Sequence, residues 1–264
     1  MASAQMAKRI VVKVGTSTLT HETGKPNLHT INQLCRVLSD LWNSGMEVVL
    51  VTSGAVGAGL GRLGLDQRPS DVATRQAVAA IGQCELMSLY SKFFSEYGRS
   101  CAQVLLTADD IGNGTRRQNL TNCLSALLGM GVIPVINEND AVSVSELEGS
   151  NIGDNDNLSA LVAELIDAGC LIMLTDIDGL YDKDPRESDS AVRIPVVAEI
   201  TEHIRGIAGG SGSKRGTGGM STKLDAAERA GKFGIDTYIM SGKNPEDLYH
   251  LLDGKPIGTR FVAK

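Results

Sequence analysis

The chain has 264 residues, 42% of them hydrophobic and 21% charged, a composition that supports a sizeable core and excludes a disordered chain. Its net charge is −6 and only 4% of its residues are aromatic, so neither a phosphate-backbone surface nor a base-stacking platform is expected, and nucleic acid is not the expected partner. No apolar run approaches a membrane span and the first eight residues lack a signal-peptide core, so a soluble, cytoplasmic protein with no membrane partner is expected.

Short β-branched runs alternate with helical patterns along the chain. Residues 9–14 (RIVVKV) read as a buried strand, and the apolar face of Leu28, Ile31, Leu34, Leu38 and Leu41 marks a helix with Asn27 as its candidate cap. Residues 47–52 form the second predicted strand, with a glycine-rich exit, and 71–97 a long helix. Next come a strand at 101–106, a helix at 116–128, a strand at 132–136, a helix at 157–167 and a strand at 171–174. The remaining elements are a helix at 220–232, a strand at 237–240, a short helix at 245–252 and a closing strand at 258–262. Strand–helix alternation with fully apolar strands predicts an α/β fold, a mostly parallel sheet covered on both faces. The length suits one α/β domain with two lobes, or two small domains.

The five cysteines show neither metal spacing nor a disulfide framework and read as buried thiols. The four histidines, His21, His29, His203 and His250, are scattered and read as surface residues. Glycine and serine crowd 206–219 around Lys214 and Arg215, directly before a predicted helix, which favours a loop tied to a site.

Four predicted strand ends carry backbone-exposing sequence: Gly15-Thr16-Ser17, Ser53 to Gly57, Asn137 to Asp140, and Thr175-Asp176. One such turn is usually only a turn, but four would line a single sheet edge, where ligands of open α/β sheets bind. The Walker pattern GxxxxGK[ST] is absent. Gly59, Gly61 and Gly64 match GxGxxG inside helical sequence, away from any strand-to-helix turn, which makes a chance match. The strongest local signal is Thr217-Gly-Gly-Met-Ser-Thr-Lys223, where glycines precede a helix and a lysine falls in its first turns. Free amides and the helix dipole there favour an anion, although a flexible capped loop explains that segment alone equally well.

Six segments taken together carry a resemblance: VVKVGTS at 11–17, VTSGAVGAG at 51–59, INENDAV at 136–142, GDNDNLSA at 153–160, LTDIDGLYDKDP at 174–185 and GTGGMSTKLDAA at 216–227. In order and spacing they closely resemble the glutamate 5-kinases of the amino-acid kinase superfamily. The resemblance implies a three-layer α/β sandwich in a single domain, with a glutamate-binding lobe over about 1–169 and an ATP-binding lobe over about 170–264. Many glutamate 5-kinases carry a C-terminal PUA domain, and a chain ending at Lys264 is expected to lack it.

The implied reaction is ATP-dependent phosphorylation of the side-chain carboxylate of L-glutamate, which opens proline biosynthesis. A carboxylate with a reference pKa of about 4.3 is already ionised at neutral pH, so no general base is needed. Catalysis then rests on positioning and on charges that neutralise two approaching anions. The resemblance makes Lys13 and Lys223 the phosphate-stabilising lysines and Asp156 the residue that orients both. Alone, Lys13 would read as a snorkelling strand-end lysine and Asp156 as a helix N-terminal acid. Ser53, Asp140 and Asn155 are the implied glutamate contacts. ATP falls to Lys13, Thr175 and Asp176 with Thr217, Gly218, Gly219, Met220, Ser221, Thr222 and Lys223. Mg2+ is expected to arrive with the nucleotide, with no protein ligand assigned. The resemblance also implies a homo-oligomer, dimer or tetramer, and feedback inhibition by proline. A kinase of another small acid, such as N-acetylglutamate or carbamate, is disfavoured by INEND and GDNDN. A non-catalytic amino-acid sensor is disfavoured by the presence of Lys13, Asp156 and Lys223.

Overall fold

Side-chain alternation along the first strand sets the centre of the fold. β1 (Arg9–Val14) lies between β2 (Glu47–Val51) and β5 (Cys170–Thr175), parallel to both, with Val11 opposite Val49 and Leu171. Ile10, Val12 and Val14 join one apolar cluster and Val11 joins the other, so the strand buries both faces, as a central parallel strand must. β4 (Ile133–Glu138) and β3 (Cys101–Leu106) extend the sheet beyond β2. β7 (Asp236–Ser241), β8 (Thr259–Phe261) and β6 (Val196–Val197) extend it beyond β5. The order is β3-β4-β2-β1-β5-β7-β8-β6, and only the β7–β8 pairing is antiparallel. The computed structural model describes residues 8–21, 23–143, 155–208 and 219–264.

Helices cover the sheet on both sides. On one face, α2 (Leu28–Asn43), α4 (Val72–Glu96) and α10 (Asp247–Leu252) contribute Leu34, Leu38, Tyr90, Phe94 and Leu248 to the cluster around Ile10 and Val12. On the other, α6 (Gly114–Gly129), α7 (Asn155–Leu165) and α9 (Met220–Gly231) contribute Leu124, Leu161, Ala163 and Leu224 to the cluster around Val11 and Met173. Each fully buried aliphatic side chain contributes roughly 1.5–3 kcal/mol, which holds both outer layers on the sheet. The caps are local: Asn27 Oδ1 accepts from the Thr30 amide at 3.2 Å and Asp71 Oδ1 from the Thr74 amide at 2.8 Å.

Several boundaries differ from the sequence expectation. The ladder of β4 runs through Asn137 and Glu138, because both pair with β3 beyond the apolar run that marks the strand. α7 starts at Asn155, two residues before the expected start, and the chain leaves it through Asp167 in the left-handed region at φ 49. Four shorter helices, α1 (Thr16–Leu19), α3 (Ala55–Leu63), α5 (Ala108–Gly112) and α8 (Glu202–Ala208), have patterns too short to declare themselves by period. The thiols also need correction: Cys35 and Cys170 are buried and Cys101 partly so, but Cys84 and Cys123 are exposed. Burial pushes the Cys170 thiol up to about 12, which keeps it a neutral core side chain. The four histidines are exposed, as expected.

The GxGxxG match dissolves into separate packing roles. A Cβ on Gly59 would stand 2.0 Å from the Val78 carbonyl oxygen, and one on Gly82 1.8 Å from that of Ala55. These two glycines let the backbones of α3 and α4 touch. Gly64 is instead the left-handed residue that ends α3, at φ 66.

Candidate active site

The polar strand ends do share one edge. Gly15 follows β1, Ser53 lies two residues past β2, Asp140 two past β4, and Thr175 closes β5. The connection from β1 leads to β2 on one side, while β5, β7, β8 and β6 lie on the other. Ligands of open α/β sheets bind outside the carboxyl ends of strands at such a switch point.

Three charged side chains meet there beneath the surface. Lys13 has the same parity along β1 as Val11 and therefore faces α7 and α9. Its Nζ lies 2.6 Å from Asp156 Oδ1, and Lys223 Nζ lies 2.9 Å from Asp156 Oδ2. Asp156 is the second residue of α7 and Lys223 the fourth of α9, two helices packed against each other. Thr222 Oγ1 stands 2.8 Å from Asp156 Oδ2 and 2.9 Å from the Gly219 carbonyl oxygen. Asp156 is wholly buried, with Lys13 and Lys223 5% and 7% exposed, so the cluster's charges act with little solvent screening. Burial pushes the Asp156 carboxyl up, but Lys13 and then Lys223 outweigh it and hold the group well below the usual carboxylate range. Taken by themselves, these three groups set two ammonium groups against one carboxylate. Such a cluster can draw in an anion and hold it in place without taking its proton.

Residues 8–241 match the amino acid kinase family. The chain is 54% identical to the glutamate 5-kinase of Clostridium perfringens (strain 13 / Type A) over 98% of its own length and 96% of that protein. It is 50% identical to the glutamate 5-kinase of Lactococcus lactis subsp. lactis (strain IL1403), covering 97% and 96% respectively. The chain belongs to the glutamate 5-kinases of the amino acid kinase family. Against the Moorella thermoacetica glutamate 5-kinase, 52% identical, it spans 68% of the relative's length, so family members of two lengths align with it. Among solved structures, an isopentenyl phosphate kinase superposes with a TM-score of 0.66 at 14% identity, covering 96% of this chain and 100% of that one. The UMP kinase from Bacillus anthracis gives 0.63 at 14% identity, covering 98% of each chain. At that identity the likeness is one of fold.

The remaining expected site residues divide by the ligand expected for each. Of the residues expected at glutamate, Ser53 is buried, and Asp140 is half-buried and lines a cleft with Arg68, Arg75, Gln76 and Ser143. Asn155 opens α7, and its buried Oδ1 accepts no hydrogen bond from any described residue. Of those expected at the nucleotide, Thr175 Oγ1 donates to Asp176 Oδ1 at 3.1 Å, and Arg186 Nη2 pairs with Asp176 Oδ2 at 3.0 Å. Gly219 and Met220 are half-buried, Ser221 exposed. Thr217 and Gly218 lie outside the described residues, as does most of the glycine-rich loop. Thus Asp156 directly gathers Lys13, Lys223 and Thr222, whereas Thr175 and Asp176 bond each other and Arg186.

Three features escape the sequence reading. Thr222, expected at the nucleotide, also bonds Asp156. Arg186 comes one residue after the last residue of the 174–185 motif, and only the fold brings it onto Asp176. Asn137 Nδ2 donates to Gln83 Oε1 at 2.8 Å, and the available signal was a polar residue on the buried stripe Ala79, Gln83, Leu86 and Tyr90 of α4.

Proposed function

We propose that this chain catalyses ATP-dependent phosphorylation of the side-chain carboxylate of L-glutamate, giving L-glutamyl 5-phosphate, the first step of proline biosynthesis. The observation that carries this reading is the buried pair of lysines on Asp156, at the switch point of the sheet. The relatives supply the acceptor, since they are named as glutamate 5-kinases.

In the reaction a glutamate carboxylate oxygen forms a bond to the γ-phosphorus. The bond from that phosphorus to the β–γ bridging oxygen breaks, its electron pair leaves with ADP, and no proton is transferred. The obstacle is repulsion between two anions. Lys13 and Lys223 offset it, and Asp156, ionised throughout the working range, fixes both ammonium groups before substrate arrives. Ser53, Asp140 and Asn155 hold glutamate. Asp140 accepts from the α-ammonium group, and the other two bond carboxylate ends. Thr175, Asp176 and the segment from Thr217 to Lys223 hold ATP, with the amides that open α9 facing phosphate. On this assignment the half before about residue 170 serves glutamate and the half after it ATP. Both oxygens of Asp156 lie against Lys13, Lys223 and Thr222, which leaves that carboxylate poorly placed to take a metal; Mg2+ entering with the nucleotide would be held mainly by phosphate oxygens and water.

Among the described residues no helix is long and apolar enough to cross a membrane. That fits a cytoplasmic enzyme, which we further propose to be a homo-oligomer controlled by proline. A coupled ADP-release assay with glutamate, N-acetylglutamate or no acceptor tests the central reading, with hydroxylamine added to trap an acyl phosphate. ADP release and trapped product with glutamate alone are expected. Turnover with N-acetylglutamate instead, or none above the blank, overturns it.

A further inference from the structure

α4 passes the candidate glutamate site at a distance set by glycine. Gly82 lies so close to the first turn of α3 that a Cβ would stand 1.8 Å from the Ala55 carbonyl oxygen and 2.3 Å from the Gly59 nitrogen. The next residue, Gln83, is 7% exposed. It is the amide on a stripe otherwise made of Ala79, Leu86 and Tyr90.

The hydrogen bonds fix which way this amide points. The Glu138 backbone N–H donates to Asn137 Oδ1 at 2.9 Å, so the other end of Asn137 is its amino group. That group donates to Gln83 Oε1 at 2.8 Å. Gln83 Nε2 is then left buried with no acceptor among the described residues. A methionine would fill the same space without an orphaned donor. What the amide adds is a fixed orientation for Asn137.

Asn137 in turn shapes the loop that carries Asp140. Its side chain holds the Glu138 amide, while Glu138 Oε1 accepts from Ser143 Oγ at 2.5 Å and the Asn139 carbonyl oxygen accepts from the Ser143 amide at 2.9 Å. The described part of the loop, Glu138 to Ser143, is thus tied to itself, and two amides of α4 tie it to that helix: Gln83 through Asn137, and Gln76, whose Nε2 donates to the Ser143 carbonyl oxygen at 3.5 Å. Resting on the reading that glutamate binds at Ser53 and Asp140, we infer that Gln83 is a positioning residue for glutamate recognition, acting through Asn137 on the Asp140 loop.

Steady-state kinetics on Gln83→Met and Gln83→Asn test this. The first removes the amide, and the second withdraws its oxygen from Asn137 by one methylene. Each is expected to raise KM for glutamate about tenfold, as loss of one oriented hydrogen bond does, with kcat and KM for ATP within about twofold of the parent. In an Asn137→Ala background, Gln83→Met should add almost nothing, because the two residues act as one unit. An unchanged glutamate KM, an equal rise in both KM values, or fully additive effects overturns the inference. The rise in melting midpoint on adding ATP reports a folded nucleotide half. If both variants lose it, Gln83 is only a core residue and the inference fails. Absence of glutamate-dependent turnover in the parent protein would instead sink the functional reading, before any variant is made.

Discussion

Lys13 and Lys223 each bring a positive charge into a space that solvent scarcely reaches, and Asp156 is what makes that tolerable. Buried ions lose much of their hydration, so removing one partner costs more than the pair contributes. Lys13→Ala and Lys223→Ala should therefore each lower kcat by about 100-fold or more, with a smaller change in KM for glutamate. Near-normal turnover in either variant would remove that lysine from the mechanism. Asp156 also makes a prediction about pH. Its folded pKa is depressed, so its contribution to stability is present above the unfolded value of about 3.9 and is lost as pH falls through the lower folded value. Across the neutral and mildly acidic range Asp156 should not titrate. Any acid limb in kcat/KM should instead track protonation of the substrate carboxylate near pH 4.3. Asp156→Asn should lower the melting midpoint at pH 7, and that deficit should begin to shrink only below about pH 3.9 and disappear only as pH falls through the lower folded value. A deficit independent of pH would mean that the carboxylate's charge is not what matters.

At the scale of elements, the long periodic segments were legible and the close approaches were not. Helix α2 follows from its apolar face and Asn27, and β1 and β5 from their unbroken apolar runs. Those patterns report burial, which side-chain chemistry encodes directly. Lys13, Asp156 and Lys223 were found through motif resemblance. Nothing in their spacing announces that β1, α7 and α9 converge, because that depends on strand order and helix packing. Gln83 and Arg186 were missed for the same reason, since their partners lie 54 and 10 residues away. Glycines were ambiguous in another way. Gly59 falls in a GxGxxG pattern that reads as a chance match, and the pattern does not show that it and Gly82 are where two helices touch. Gly82→Ala should force α3 and α4 apart, because the obstructing atoms are backbone, at a cost of about 1–3 kcal/mol in stability. Since α4 carries Gln83, KM for glutamate should rise more than KM for ATP. Gly129→Ala is the control: it is also helical and meets nothing within 4 Å, and the added methyl should be neutral or slightly stabilising. Thermal melts of the two variants compared side by side check this, and equal melting points would contradict the packing role.

Across the whole molecule, one continuous sheet carries both proposed substrate sites, with β1 and β5 at their border. The proposed control by proline needs a place on this frame. Proline shares glutamate's α-carboxylate and α-nitrogen but has no side-chain carboxylate to accept a phosphoryl group. Asp140 and Asn155 could hold those shared groups, while Lys13 and Lys223 would face phosphate with no nucleophile between. Inhibition of this kind is expected to reside within these 264 residues and to compete with glutamate, leaving KM for ATP nearly unchanged. It also ties two affinities to one residue. Asp140→Ala removes a charge-assisted acceptor for the nitrogen of either ligand, a loss of roughly 1.5–3 kcal/mol, or about ten- to a hundred-fold. The glutamate KM and the proline inhibition constant should therefore rise together. Initial rates across a glutamate series at fixed proline, in the parent and in Asp140→Ala, measure both. If saturating glutamate fails to relieve the inhibition, or Asp140→Ala weakens glutamate alone, proline acts from a separate site.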